Sequence, residues 1–267
     1  MQTSYFSEAD HQALSAAASD AQAAQQVHAK LFELHQALHR RMRDRNWDVH
    51  PHWDKARIIS GHSASCHGEI AGLVLPYLRS KEQAALVERL MGRDYAQAAA
   101  HTDSTRHPAI ELRITPANFV VELVLNPAAW WDQRNLIGKL SIDRHRTALR
   151  SILQRMNQNM TDDFRFGFFE GCHLNDMHLN ARHLLRGKVL EEWMSTFADG
   201  QDWLRVGIWY PPDHAALAQG SIVNEVLLRL EPLYDLYHFI VWTSNNNYQN
   251  FYPKSSVVPN SRDQHYN

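Results

Sequence analysis

Between Trp47 and Glu69 the chain carries His50, His52, His62, His67 and Cys66, in a sequence with 17 histidines and 2 cysteines over 267 residues. Imidazole and thiolate are the side chains best suited to hold a transition metal or to move protons near neutral pH. Pro51 restrains His50 to an extended conformation, and residues two apart on an extended chain project to one side with α-carbons roughly 6.5 Å apart. His50 and His52 can therefore share one ion. His62 and Cys66 share a face if a helical turn starts near Ser63, completing a candidate metal set of His50, His52, His62 and Cys66, with Asp48, Asp54 and His67 in reserve. The cofactor such ligands call for is a divalent transition metal such as zinc. With one position open to water it would generate hydroxide at neutral pH.

Other readings compete for the same residues. Trp47, Val49 and Trp53 can pack as a bend whose histidines are hydrogen-bonded and half buried, and Cys66 beside His62 or His67 can be a thiol nucleophile beside its base. His35 and His39, at i and i+4 of a helical pattern, can also clamp a metal, although no acidic partner follows them.

A second group of residues is defined by the strands expected to carry it. Ile110, Leu112 and Ile114 alternate with Glu111, Arg113 and Thr115, and the apolar run Phe119–Leu125 follows Pro116-Ala117-Asn118, which predicts a β-hairpin whose first strand has one wet face. Further strands are expected over Phe164–Phe169, Trp203–Tyr210 and Phe239–Trp242. Helices are expected over Leu140–Met156, Leu184–Phe197 and Ile222–Leu230. If those helices are crossovers, the strands ending at Leu125, Phe169 and Tyr210 are parallel and finish at one edge of the sheet, where open α/β sheets bind ligands. The residues released there are Trp130, Trp131 and Arg134 as substrate-binding candidates and Glu170, Asp213 and His214 as catalytic ones.

The remaining elements frame these. Ser7 and Asp10 form a helix-start signal, and Val27, Leu31, Leu34, Leu38 and Met42 recur at spacings of three and four, predicting one or two helices over about residues 8 to 45. Ser80 to Met91 reads as a helix stopped by Gly92, and His101 to Pro108 as a loop. The fold class that follows is α+β: a single domain over 1–250 with an N-terminal helical layer (1–45), a His-rich connection and short helix (46–109) and a mixed sheet with helices (110–243), then a loosely ordered tail (251–267). An open α/β sheet is the alternative.

Composition limits the function. A net charge of −2, from 27 basic and 29 acidic residues, supplies no global field for nucleic acid, and Arg40–Arg45 with Arg144, His145, Arg146 and Arg150 is the weakest functional lead. No apolar run approaches the roughly 18 residues that span a bilayer, and the start lacks a signal-peptide core, so a soluble, cytoplasmic protein with reduced thiols is expected. Two function classes remain. One is a metal-assisted hydrolase or related enzyme on a small or medium polar substrate; the other is a non-catalytic binding or assembly protein that offers Leu31, Leu34, Leu38 and Met42 to a partner helix, including that of a second copy, with surface tryptophans as anchors.

Overall fold

The structure, a computed structural model, describes residues 4–15, 21–52, 72–158, 164–167, 169–170, 173–174, 179–195 and 204–251. The fold is the α+β single domain expected, but its sheet is built differently. The order of its seven strands is β1 (His50–Pro51), β2 (Leu73–Leu78), β3 (Ala109–Ile114), β4 (Phe119–Leu125), β9 (Leu204–Tyr210), β5 (Arg165–Gly167) and β8 (Leu179–Asn180). Every neighbouring pair is antiparallel. A separate two-stranded ribbon joins β6 (Phe169–Glu170) to β7 (His173–Leu174).

The hairpin of β3 and β4 forms as its alternation predicts, closed by the Thr115 amide donating to Asn118 O. Its neighbours follow from burial on both faces. Strand β2, with six buried residues, was hidden in a short apolar run that carries no period of its own. The expected wet face of β3 is absent, since Glu111 and Arg113 are both buried.

One face of the sheet merges with the helices. Helix α1 (Glu8–Gln12) starts on the Ser7–Asp10 capping box, and α2 (Ala21–Asp44) buries Val27, Leu31, Leu34, Leu38 and Met42 in the same cluster as Leu75, Leu112, Val121 and Ile208. The apolar stripe proposed for a partner helix is therefore consumed inside the fold. Helices α3 (Lys81–Leu90) and α4 (Tyr95–Ala100) follow β2. After β4 come α5 (Trp130–Leu140), over residues expected to be released from the strand end, and α6 (Asp143–Asn157), the helix expected over Leu140–Met156. Of the helix expected over Leu184–Phe197, the described residues hold α8 (Val189–Met194), preceded by the short α7 (Ala181–Leu184), and α9 (Ile222–Ile240) runs through Phe239, where a last strand was expected. Among the described residues no helix is long and apolar enough to cross a membrane.

The second face carries charge in its interior. Glu122 lies opposite Glu111 on one side and Gly207 on the other. Like charges directly opposed would repel, and two guanidiniums answer them: Arg113 Nε donates to Glu122 Oε1 at 3.1 Å, and Arg205 Nε sits 3.2 Å from Glu122 Oε2. Gly207 is what leaves room, because a Cβ there would stand 2.5 Å from Glu122 Cβ and 2.7 Å from Val121 O. Replacing Gly207 with Ala is expected to cost about 1–3 kcal/mol, the usual range for overpacking, measured as a lower urea midpoint with an unchanged slope.

Candidate functional site

The end of the sheet where β2 and β4 finish and β3 begins gathers a group of buried polar side chains. Its centre is an ion pair. Arg79, the residue after β2, donates from one terminal nitrogen to Asp132 Oδ1 at 2.5 Å, and both side chains are buried. Asp132 lies in the first turn of α5, where the helix dipole favours a carboxylate. Trp242 closes the arrangement: its amide donates to Asp132 Oδ1 at 2.6 Å and its carbonyl accepts from Arg79 at 3.2 Å.

The same helix face finishes α9. The last carbonyls of a helix have no partner within it. Here Phe239 O accepts from Lys139 Nζ, Ile240 O from Asn135 Nδ2, and His238 O and Val241 O from Asn246 Nδ2. Asn246 belongs to the asparagine run 245–247, whose amides serve the chain's own backbone. Burial holds the Lys139 ammonium down to about 8, against the opposing pull of Asp132.

A histidine and a glutamate lie beside the ion pair. Glu88 on α3 accepts at Oε1 from the Asp103 amide at 2.8 Å and faces His107 Nε2 at 3.1 Å; Arg93 donates to its other oxygen. Burial would raise the Glu88 carboxyl, but the bonds from His107, the Asp103 amide and Arg93 outweigh it and hold the group below the ordinary carboxylate range. His107 is fully buried, and desolvation keeps its pKa low despite Glu88; Arg79 adds to the lowering, and Asp132 opposes it. The tautomer follows. An ionised carboxylate only accepts, so Nε2 carries the hydrogen and Nδ1 of the neutral ring presents a bare lone pair.

That lone pair belongs to a set. His107 Nδ1, Arg79 Nε, Asp132 Oδ2, Trp131 Nε1 and Tyr237 OH are all buried without a hydrogen-bond partner among the described residues. The five sit around one ion pair: Tyr237 and His107 both feel the charges of Arg79 and Asp132, and Trp131 packs edge-on against Trp242 at 5.9 Å. Burial raises the Tyr237 phenol far above its ordinary value, so it stays protonated. Aromatic rings flank the cluster. Trp47 stacks on Tyr234 at 4.7 Å and Tyr234 on Tyr237 at 6.3 Å, while Trp130 meets Trp131 at 5.3 Å.

The residues singled out from sequence divide between this end and others. Trp131 belongs to the cluster and Trp130 to its rim, whereas Arg134 is exposed. His52 reaches it by bonding through Nε2 to Arg79 O at 2.9 Å, whereas His50 turns to Asp48 Oδ1 at 3.0 Å, so the two rings are held by different partners. Among the described residues no three His, Cys, Asp or Glu groups are placed to hold a metal; His62 and Cys66 lie outside those residues. Nor do His35 and His39 form a clamp. They stack at 5.3 Å, and His35 Nδ1 bonds to Tyr77 OH at 2.9 Å.

The expected convergence of three strand ends does not occur. Leu125 pairs with Leu204 and Phe119 with Tyr210, so Asp213 and His214 leave β9 at the opposite end from Trp130 and Trp131. There the His214 ring accepts from the Ala216 amide and starts a 3₁₀ turn, and Asp213 adopts a left-handed turn at φ 58°. Glu170 lies in the β6–β7 ribbon, opposite His173 and outside the main sheet. Sequence reasoning missed Arg79, Glu88 and His107. The usable signal was His107-Pro108 at the base of a strand, where Pro fixes the histidine extended.

No protein-family model matches the chain, and no curated protein matches it.

Removing Asp132 strands a buried guanidinium, so Asp132→Ala is expected to cost about 3–5 kcal/mol in chemical denaturation, with the double change Arg79→Met, Asp132→Leu recovering much of it. A pH effect comes from His35, whose pKa burial and then His39 push down to about 4. The unfolded chain binds that proton first, so stability is full above about pH 6.5 and is lost by up to about 3 kcal/mol as pH falls to 4. Wild type and His35→Gln compared by denaturation from pH 7 to 4 should diverge, with the variant the flatter.

Proposed function

We propose that the chain is an enzyme acting on a small polar substrate at the Arg79–His107 end of the sheet, with His107 as the acid–base group and Glu88 orienting it. The observation that carries this is the bare Nδ1 of a buried, neutral, carboxylate-oriented histidine beside four other buried polar atoms that find no partner among the described residues. Leaving such atoms unsatisfied costs about 1–3 kcal/mol each, and a ligand that bonds them recovers that cost. A depressed pKa suits a general base at neutral pH, since the ring is then unprotonated.

The reaction class that fits is hydrolysis of an acyl bond. His107 Nδ1 takes a proton from water as its oxygen bonds to the carbonyl carbon, and gives that proton to the leaving group as the bond to it breaks. Arg79 Nε, Trp131 Nε1 and Tyr237 OH are the donors available to a carbonyl oxygen that gains negative charge. This keeps the expected hydrolase class but moves the chemistry from Glu170, Asp213 and His214 to Glu88 and His107. The assembly reading loses its helix stripe, which is buried.

Turnover of chromogenic esters and anilides by the full chain tests the proposal. Wild type should hydrolyse at least one, and His107→Gln, checked for folding by circular dichroism, should lower kcat/KM by roughly 10²–10⁴. The rate should rise with pH to a plateau reached below about pH 6.5, the ordinary imidazole value. Equal activity in His107→Gln, or no turnover of any substrate, would refute it.

A further inference from the structure

Most of the charge at this end is paired, and the Lys139 ammonium, which Asp132 also attracts, is held by two neutral oxygens. Arg79 answers Asp132 and Arg93 answers Glu88, while His107 and Tyr237 carry no charge at neutral pH. An ammonium entering here gives up its hydration and meets no unpaired carboxylate, and an anion finds only the Lys139 ammonium, already held by Phe239 O and Asn246 Oδ1, a cost of several kcal/mol in either case. The open hydrogen-bonding capacity is mixed. Arg79 Nε and Trp131 Nε1 can only donate, Asp132 Oδ2 and His107 Nδ1 are acceptors, and the Tyr237 hydroxyl does either. A carboxylate or phosphate satisfies only the donors, and an ammonium only the acceptors.

We infer that the site takes a neutral molecule with an amide-type edge, a carboxamide, urea or lactam that offers carbonyl lone pairs and N–H donors side by side, in preference to carboxylates, phosphates or amines. The inference rests on reading this cluster as a site and names the ligand chemistry. The flanking rings of Tyr234, Trp130 and Trp242 add apolar, polarisable surface, so an amide borne on an aromatic ring fits better than a bare one.

Three ring compounds of one shape isolate the charge: benzamide, benzoate and benzylamine, with inorganic phosphate as a fourth probe. Binding to the full-length wild-type chain is followed by ligand-observed NMR and by the shift in thermal midpoint. Benzamide should bind at least about tenfold more tightly than benzoate or benzylamine, and phosphate should leave the midpoint unchanged. Trp131→Phe, which removes one donor and keeps the Arg79–Asp132 pair, should weaken benzamide by roughly five- to tenfold; Tyr237→Phe provides a second, independent removal. Benzoate or phosphate binding as well as benzamide overturns the inference, as does the absence of binding by any probe. Ester turnover that depends on His107 but is not inhibited by benzamide overturns the ligand class and leaves the acid–base reading standing. Benzamide binding without such turnover upholds the ligand class and refutes that reading.

Discussion

The buried pair between Arg79 and Asp132 is the interaction on which the polar half of the molecule depends. Two charges removed from water are tolerated only when each is compensated and the remaining lone pairs and hydrogens are used. Here the compensation is shared among three elements distant in sequence: the end of β2, the first turn of α5 and the backbone of Trp242 beyond α9. None of the three can be displaced without exposing the others' charge, so the pair fixes how the sheet, the cross-helix and the last helix meet. The apolar cluster supplies the drive to fold, and the ion pair supplies the register.

The charged interior divides by task. On the second face of the sheet, Arg113 and Arg205 surround Glu122, and its opposite neighbour is a glycine, so charge there is matched by charge. At the sheet's end, Glu88 and Asp132 are also matched by cations, yet five polar atoms around them stay unanswered among the described residues. Both regions are buried to the same degree. They differ in composition: one is built of carboxylates and guanidiniums alone, whereas the other adds a neutral histidine, an indole and a phenol.

Much of the fold was legible because period and capping report local geometry. The spacing of Leu31, Leu34, Leu38 and Met42 placed α2, and the alternation from Ile110 to Ile114 placed β3. What failed was reasoning across distance. Helices between strands suggested crossovers and a parallel sheet; β9 instead enters antiparallel beside β4, which sent Asp213 and His214 away from the tryptophans. Histidine density pointed to a stretch that lies mostly outside the described residues. His50 and His52 were chosen for spacing, but a backbone carbonyl and an aspartate claim their rings, and the histidine with a free lone pair, His107, stood alone in a segment read as loop. Glu88 sat within an unremarkable amphipathic helix, and no pattern in sequence connects it to a residue 19 positions on.

The closing of α9 by α5 bears on how the chain is made. Asp132, Asn135 and Lys139 emerge from the ribosome about a hundred residues before the backbone they serve, which lies between Phe239 and Tyr248. Until that late segment arrives, an aspartate, an asparagine and a lysine on an otherwise core-facing helix have only water to bond, and burying them would be unfavourable. The nascent sheet can pair β2, β3 and β4 early, but it must wait for β9 on one side and for the end of α9 over α5. Synthesis thus has an ordered final step, in which the last-made helix both completes the apolar layer and lets the polar face of α5 leave water.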